Sequence, residues 1–227
     1  MRRAPVVAAA AIAAGAAVIV LPLIRDGRAN SSPLPLASLA TLPALRAGGA
    51  VGPLGPEAVP MGVGKALARP RAVVVGRRIG GIVCQASEQV LFHIHAHLVI
   101  VVRGVAQQVP AGIGMAPPYE VASTPRGAFI AGAACFMWLH THAADGIIHT
   151  ESPVVRTYTL GDFFDIWGQP LGRRQVGPAH GRVTALFNGR VFTSDPREIP
   201  LLAHAQIELE VGHPLLAPER IAFPVGL

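Results

Sequence analysis

At 227 residues the chain has room for one or two domains, and its formal charge of +6 comes almost wholly from arginine, with Lys65 the only lysine. The arginine pairs at 77 and 78 and at 173 and 174 stand alone, outside any long basic run with interleaved aromatics. This argues against a nucleic-acid role and leaves only a general attraction to anionic membrane surfaces.

Arg2 and Arg3 precede an uncharged apolar stretch from Ala4 to Ile24. A positive start followed by roughly 20 apolar residues is long enough to cross a bilayer as a helix. Residues 1–25 therefore read as a signal anchor, or as a cleaved signal peptide, and either one exports the rest. Residues 26–70 are rich in Pro, Gly, Ala and Ser and hold neither a helical nor a strand period. They read as a flexible or extended linker, with an arm laid across the domain as the alternative. Residues 71–227 form the folded domain.

Within it, residues 71–76 (RAVVVG) read as a short strand. Residues 89–102 (QVLFHIHAHLVIVV) are β-branched and poor in helix formers, which predicts a long strand. Arg103 and Gly104 make a turn, residues 105–109 return, and 110–120 read as loop. Residues 128–143 (AFIAGAACFMWLHTHA) enter another strand. Asp145 and Gly146 are the strongest hairpin signal, with 147–151 as the return strand. Thr159 and Asp162 resemble a capping box that opens a helix over Leu160–Trp167, closed by Gly168, with Phe163, Phe164, Ile166 and Trp167 turned to the core. Asn188 and Gly189 mark a second hairpin. Residues 204–211 (HAQIELEV) alternate cleanly, with Ile207, Leu209 and Val211 on one face. The fold class is mostly β with one short helix: a sandwich, an open barrel or a grasp-like α+β sheet.

Six of the nine histidines fall between positions 93 and 149: His93, His95 and His97, then His140 and His142, then His149 followed by Glu151. Imidazole and carboxylate are the usual protein ligands of zinc and copper. Two-residue spacing on a strand places such groups on one face, about 7 Å apart. A type I′ turn at Asp145 and Gly146 would set His142 opposite His149 and His140 opposite Glu151, about 4.5–5.5 Å apart at Cβ. A four-residue loop over 143–146 shifts this register by two and keeps the face, whereas a three-residue loop with a bulge would turn His149 away. One ion takes two adjacent members of the first row, because the outer two stand about 13 Å apart. The third then orients a ligand or faces a second ion. Glu151 ligates, orients a histidine or acts as a general base. Burying six imidazoles without a metal would require many separate hydrogen-bond partners. His180, His204 and His213 read as hydrogen-bonded core residues, and Trp138 as either a wall of the site or core. Cys84 and Cys135, the only cysteines, are expected to form a disulfide in an exported chain, with copper ligation and free thiols the competing readings.

The stretches WLHTHAADGIIHTESP and TLGDFFDIWGQPL resemble a group of exported or membrane-anchored bacterial and archaeal proteins that share an H-x-H-x-H strand and a W-L-H-T-H…G-x-I-H-x-E-x-P hairpin. The resemblance covers residues 84–215 and implies export, but carries no assigned activity. Looser likenesses to copper oxidases, carbonic anhydrases and cupins stop at paired H-x-H motifs.

Three functions follow. The first is an exported, membrane-anchored protein that holds copper, or less favourably zinc, or passes it to a metal donor or acceptor protein. The second is a metalloenzyme using the same site. The third is a structural or interaction domain. There is no G-x-S-x-G, no P-loop and no H-E-x-x-H to offer other chemistry. A closed four-ligand site favours holding, and an open site beside a pocket favours catalysis.

Overall fold

The computed structural model describes residues 52–218 and 220–227; the expected signal or anchor helix and the first part of the linker lie outside them. Among the described residues no helix is long and apolar enough to cross a membrane. The structure is mostly β with one short α-helix, and no sheet among these residues closes into a barrel.

Its main element is a seven-stranded sheet built around β1 (Phe92–Val102). The chain turns at Arg103 and Gly104 into β2 (Val105–Gln107), then continues to β3 (Leu139–His140), β4 (Ile147–Ser152), β5 (Val183–Phe187), β6 (Arg190–Phe192) and β7 (Ala205–Val211). The order is β6-β5-β7-β1-β4-β3, with β2 beside the far end of β1. The pairing of β7 with β1 is parallel and the others are antiparallel.

Helix α1 (Leu160–Trp167) carries the expected capping box, in which the Thr159 hydroxyl accepts from the Asp162 N–H and the Asp162 carboxylate accepts from the Thr159 N–H. Gly168 ends it in the left-handed conformation. Phe163, Phe164 and Trp167 are fully buried in one cluster with Leu98, Ile100, Ile207 and Leu209. Each such aromatic contributes roughly 1.5–3 kcal/mol of burial energy, so α1 fixes one sheet face as the core.

The other face is covered by two chain segments. Val59 packs with Ile147, Ile221 and Phe223. The carboxamide of Gln206 both donates to the Ile221 carbonyl and accepts from its N–H. Glu210 accepts the Leu216 N–H. The polar side of β7 is thus buried because it holds the C-terminal segment by hydrogen bonds. Within the stretch read as linker, residues 54–60 form an arm across the sheet, closed by a bridge between Leu54 and Pro60.

Three expectations need correction. Residues 71–76 do not pair as a strand; the local hairpin is Arg78–Ile79 with Ile82–Val83. The segment 110–120 is not wholly loop, since Met115–Ala116 pairs with Cys135–Phe136. Residues 128–143 are not one strand. Gly127–Gly132 pairs with Glu120–Thr124, Cys135–Phe136 with Met115–Ala116, and Leu139–His140 with β4. Successive pieces find different hydrogen-bond partners, so the strand breaks between them.

Cys84 and Cys135 are bonded, 51 residues apart in sequence. Replacing both with serine is expected to lower the unfolding free energy by about 3–4 kcal/mol, the loop-entropy scale for a closure of this length. Urea midpoints at constant m value check this; a loss under about 1 kcal/mol would count against it.

Candidate metal centre

Alternation along β1 turns His93, His95 and His97 to the face opposite α1. Strand β4 lies beside it with Glu151 opposite His93, His149 opposite His95 and Ile147 opposite His97. On the far side of β4, His140 stands opposite His149. This is the register of the four-residue loop over 143–146, not of a type I′ turn. Gly146 has a positive φ but Asp145 does not, and a type I′ turn needs both. The Gly146 carbonyl instead accepts the Leu98 N–H and extends the pairing with β1.

Two groups of donors result, each with its ligand atoms within 4.8 Å of one another: His93, His95, His149 and Glu151, and His140, His142, His149 and Glu151. Both could hold a metal ion. His93 is exposed and the other members are buried. In the first group His93 Nε2 lies 3.0 Å from His95 Nε2, which lies 3.1 Å from His149 Nδ1. Glu151 Oε1 is 3.1 Å from His93 Nε2 and 3.6 Å from His149 Nδ1. In the second, His140 Nε2 is 3.1 Å from His142 Nε2 and 3.9 Å from Glu151 Oε2. Ligand nitrogens about 2.0–2.1 Å from a tetrahedral ion stand about 3.3–3.4 Å apart. The observed spacings bracket that value.

The protons sharpen the case. His140 Nδ1 lies 2.8 Å from the Met137 carbonyl and His142 Nδ1 2.6 Å from that of Ile130. A carbonyl oxygen only accepts, so both Nδ1 atoms donate. Burial, reinforced by neighbouring imidazoles, holds both rings below their ordinary proton affinity. They are neutral at pH 7, and their Nε2 lone pairs face each other with no proton between them. His149 Nε2 donates to Glu57 Oε1 at 2.7 Å, which leaves Nδ1 as its ligand atom. Carbonyl or carboxylate acceptors behind the ring are how ligating histidines are held to one tautomer.

Burial also lowers His95 to about 3, with repulsion from His149 adding to it. For His149 burial again opposes the charge, but the carboxylates of Glu151 and Glu57 outweigh it and raise the ring to about 9. His97 shares the face but stays outside both groups. Its Nε2 bonds to the Asp145 carbonyl at 3.0 Å, and burial lowers it to about 4. His180, His204 and His213 are exposed rather than in the core, and none joins the cluster. Trp138 bonds to Gln85 and packs against Tyr158, away from the cavity wall.

Two contributors were not read from the sequence. Glu57 comes from the arm and is the only charged residue between Arg46 and Lys65, which was the available signal. Gly55 lets the arm approach, since a Cβ there would come within 2.7 Å of the Asp145 side chain. Glu88 places Oε1 3.4 Å from His142 Nε2. The ring of Phe129 stacks on His142, with centroids 4.8 Å apart. Beside the donors opens a cavity of about 570 Å³, walled by Glu88, His93, His142, Phe129, the arm and residues 224–227.

Comparison with protein-family models, curated proteins and solved structures finds no match to this chain.

Two predictions follow from the protonation pattern. In metal-free protein His149, raised from its unfolded value near 6.5 to about 9, contributes stability that is full below about 6.5 and lost as pH rises through 9. His95 and His97, lowered to about 3 and 4, act oppositely, since the unfolded chain takes up protons they refuse below about pH 6.5. Stability of the metal-free protein should therefore peak near neutrality, and metal uptake at pH 7 should release about one proton. Urea midpoints at pH 5, 7 and 9.5, and calorimetry in buffers of different ionisation enthalpy, test both; a proton count near zero at pH 7 would contradict the assignment. Separately, Glu57→Gln should weaken metal binding by about 10–100-fold and bring the His149 titration below 9 by NMR. An unchanged affinity would remove Glu57 from the site.

Proposed function

We propose that the chain is an exported, membrane-anchored protein that holds a transition metal beside a cavity and exchanges it through that opening. The observation that carries this is the facing pair of bare Nε2 atoms on His140 and His142, buried and 3.1 Å apart. Without a cation such a pair only repels. Copper(II) is favoured over zinc. Both cysteines are consumed in the disulfide, and Met115 and Met137 are buried in the hydrophobic clusters, so none of these sulfurs is offered to Cu(I). The donor groups are imidazole and carboxylate, and on these the affinity order places copper first. The disulfide itself supports an oxidising compartment. The export reading rests on the apolar run after Arg2 and Arg3 and on the resemblance described above, and a metal donor or acceptor protein is the partner it implies.

A second reading, a metalloenzyme, is favoured by one feature: the cavity lies against the donors instead of the site being closed by protein. A bound ion there would polarise a substrate oxygen or acidify a water. Glu88, whose carboxyl is raised by burial and by Glu151, stands at the wall as an acid or base.

Elemental analysis of protein purified without a histidine tag is expected to find a stoichiometric transition metal. His95→Ala/His140→Ala, which removes one imidazole from each group, should lower it at least tenfold with unchanged circular dichroism. Azide shifting the spectrum of the copper form would show the open position that catalysis needs. Protein that contains no transition metal and takes none up would end both readings.

A further inference from the structure

The two donor groups share His149 and Glu151, and His149 has a single free ring nitrogen to give. His149 Nε2 is engaged by Glu57, and Nδ1 lies 3.1 Å from His95 Nε2. His149 therefore belongs with His93 and His95. Glu151 divides differently. Its Oε1 faces His93 and His149, while Oε2 points toward His140 Nε2, is buried, and has no hydrogen-bond partner. The side chain is only 5 % exposed, so water does not satisfy that oxygen. An unpartnered buried carboxylate oxygen costs on the order of 1–3 kcal/mol or more.

Across from it lie His140 Nε2 and His142 Nε2, whose other ring nitrogens are tied to carbonyls. Glu88 Oε1 completes this side, 3.4 Å from His142 Nε2. A single ion among His93, His95 and His149 would leave these nitrogens and the free oxygen facing an empty centre. The six donors do not collapse into one group either, since His95 and His140 flank β4 from opposite sides.

We propose that the centre takes two transition-metal ions bridged by the Glu151 carboxylate. This rests on the metal-holding reading above. The first ion is held by His93, His95, His149 and Glu151 Oε1. The second is held by His140, His142, Glu88 and Glu151 Oε2. Glu88, Glu151 and Glu57 place three carboxylates around two divalent charges. The cavity borders both ions, through His93 and His95 on one side and Glu88 and His142 on the other, so an incoming ligand can touch the pair.

The test is titration of metal-free full chain with Cu(II), followed by desalting and elemental analysis, with electron paramagnetic resonance on the loaded protein. Two equivalents are expected, with a half-field signal from coupled copper ions. Glu88→Gln, at a partly exposed side chain, and His142→Ala should each drop the count from two to one and abolish the half-field signal, leaving an isolated copper spectrum. One equivalent in the unmodified protein overturns the second ion while preserving the metal-holding reading. Zero equivalents overturns both. Two equivalents retained in both variants overturns the second site as assigned.

Discussion

A strand paired along both edges gives its side chains only two places to go, and this constraint on β1 governs the molecule. β7 holds one edge, and β4 and β2 hold the other. One face supplies Ala96, Leu98 and Ile100 to the core beneath α1. The other must carry His93, His95 and His97. A one-residue slip would exchange the faces and bury imidazole against Phe163 and Trp167, so the histidine row is fixed as firmly as the core. Desolvation then acts on it. Buried rings are held neutral, neutral rings present lone pairs, and β4 and β3 bring further lone pairs to the same place. The chemistry of the centre is a consequence of packing on the opposite side of the sheet.

The arm adds a second level of control. A buried imidazole between two carboxylates behaves unlike its neighbours, and His149 keeps its proton where His95 and His140 lose theirs. The difference comes from Glu151 and then Glu57, and the main-chain N–H of Glu57 is itself anchored on the Asp145 carboxylate at 3.0 Å. Burial, and then the charge of Glu57, raises Asp145 to about 7. That residue also supplies the carbonyl that removes His97 from the donor set. Arm, hairpin loop and third histidine thus form one hydrogen-bonded assembly. It stands behind the ligands and sets which of them are free to bind.

Much of this was legible in the residues. Alternation located β1 and β7, the Thr159 capping box and Gly168 bounded α1 to the residue, and Asn188 with Gly189 gave a turn with both φ values positive. The H-x-H rows gave the shared face, and His149 with Glu151 the opposing row. What stayed hidden depends on long-range partners. The register of the second hairpin turned on whether Gly146 would close a tight turn or pair with Leu98, which no local signal decides. The break of 128–143 into three pieces reflects three different partners, visible only once Met115 and Glu120 are placed. Glu57 sits in a Pro- and Gly-rich stretch without period, so its 92-residue reach to His149 could not be inferred from spacing. His97 looked equivalent to His95 because alternation reports a face and says nothing about a carbonyl waiting above it.

The disulfide ties these threads together. Cys84 lies four residues before Glu88 and nine before His93, and Cys135 lies five before His140. The bond therefore holds the segment bearing Glu88 and the start of β1 against the segment bearing His140 and His142. The same segments are joined by the bridge between Gln85 and Phe136 and by the Trp138 N–H donated to the Gln85 side chain. The two sulfurs are themselves buried in the hydrophobic cluster that holds α1. The bond therefore acts on the centre through the position of the chain, and the donor groups it steadies consist of imidazole and carboxylate.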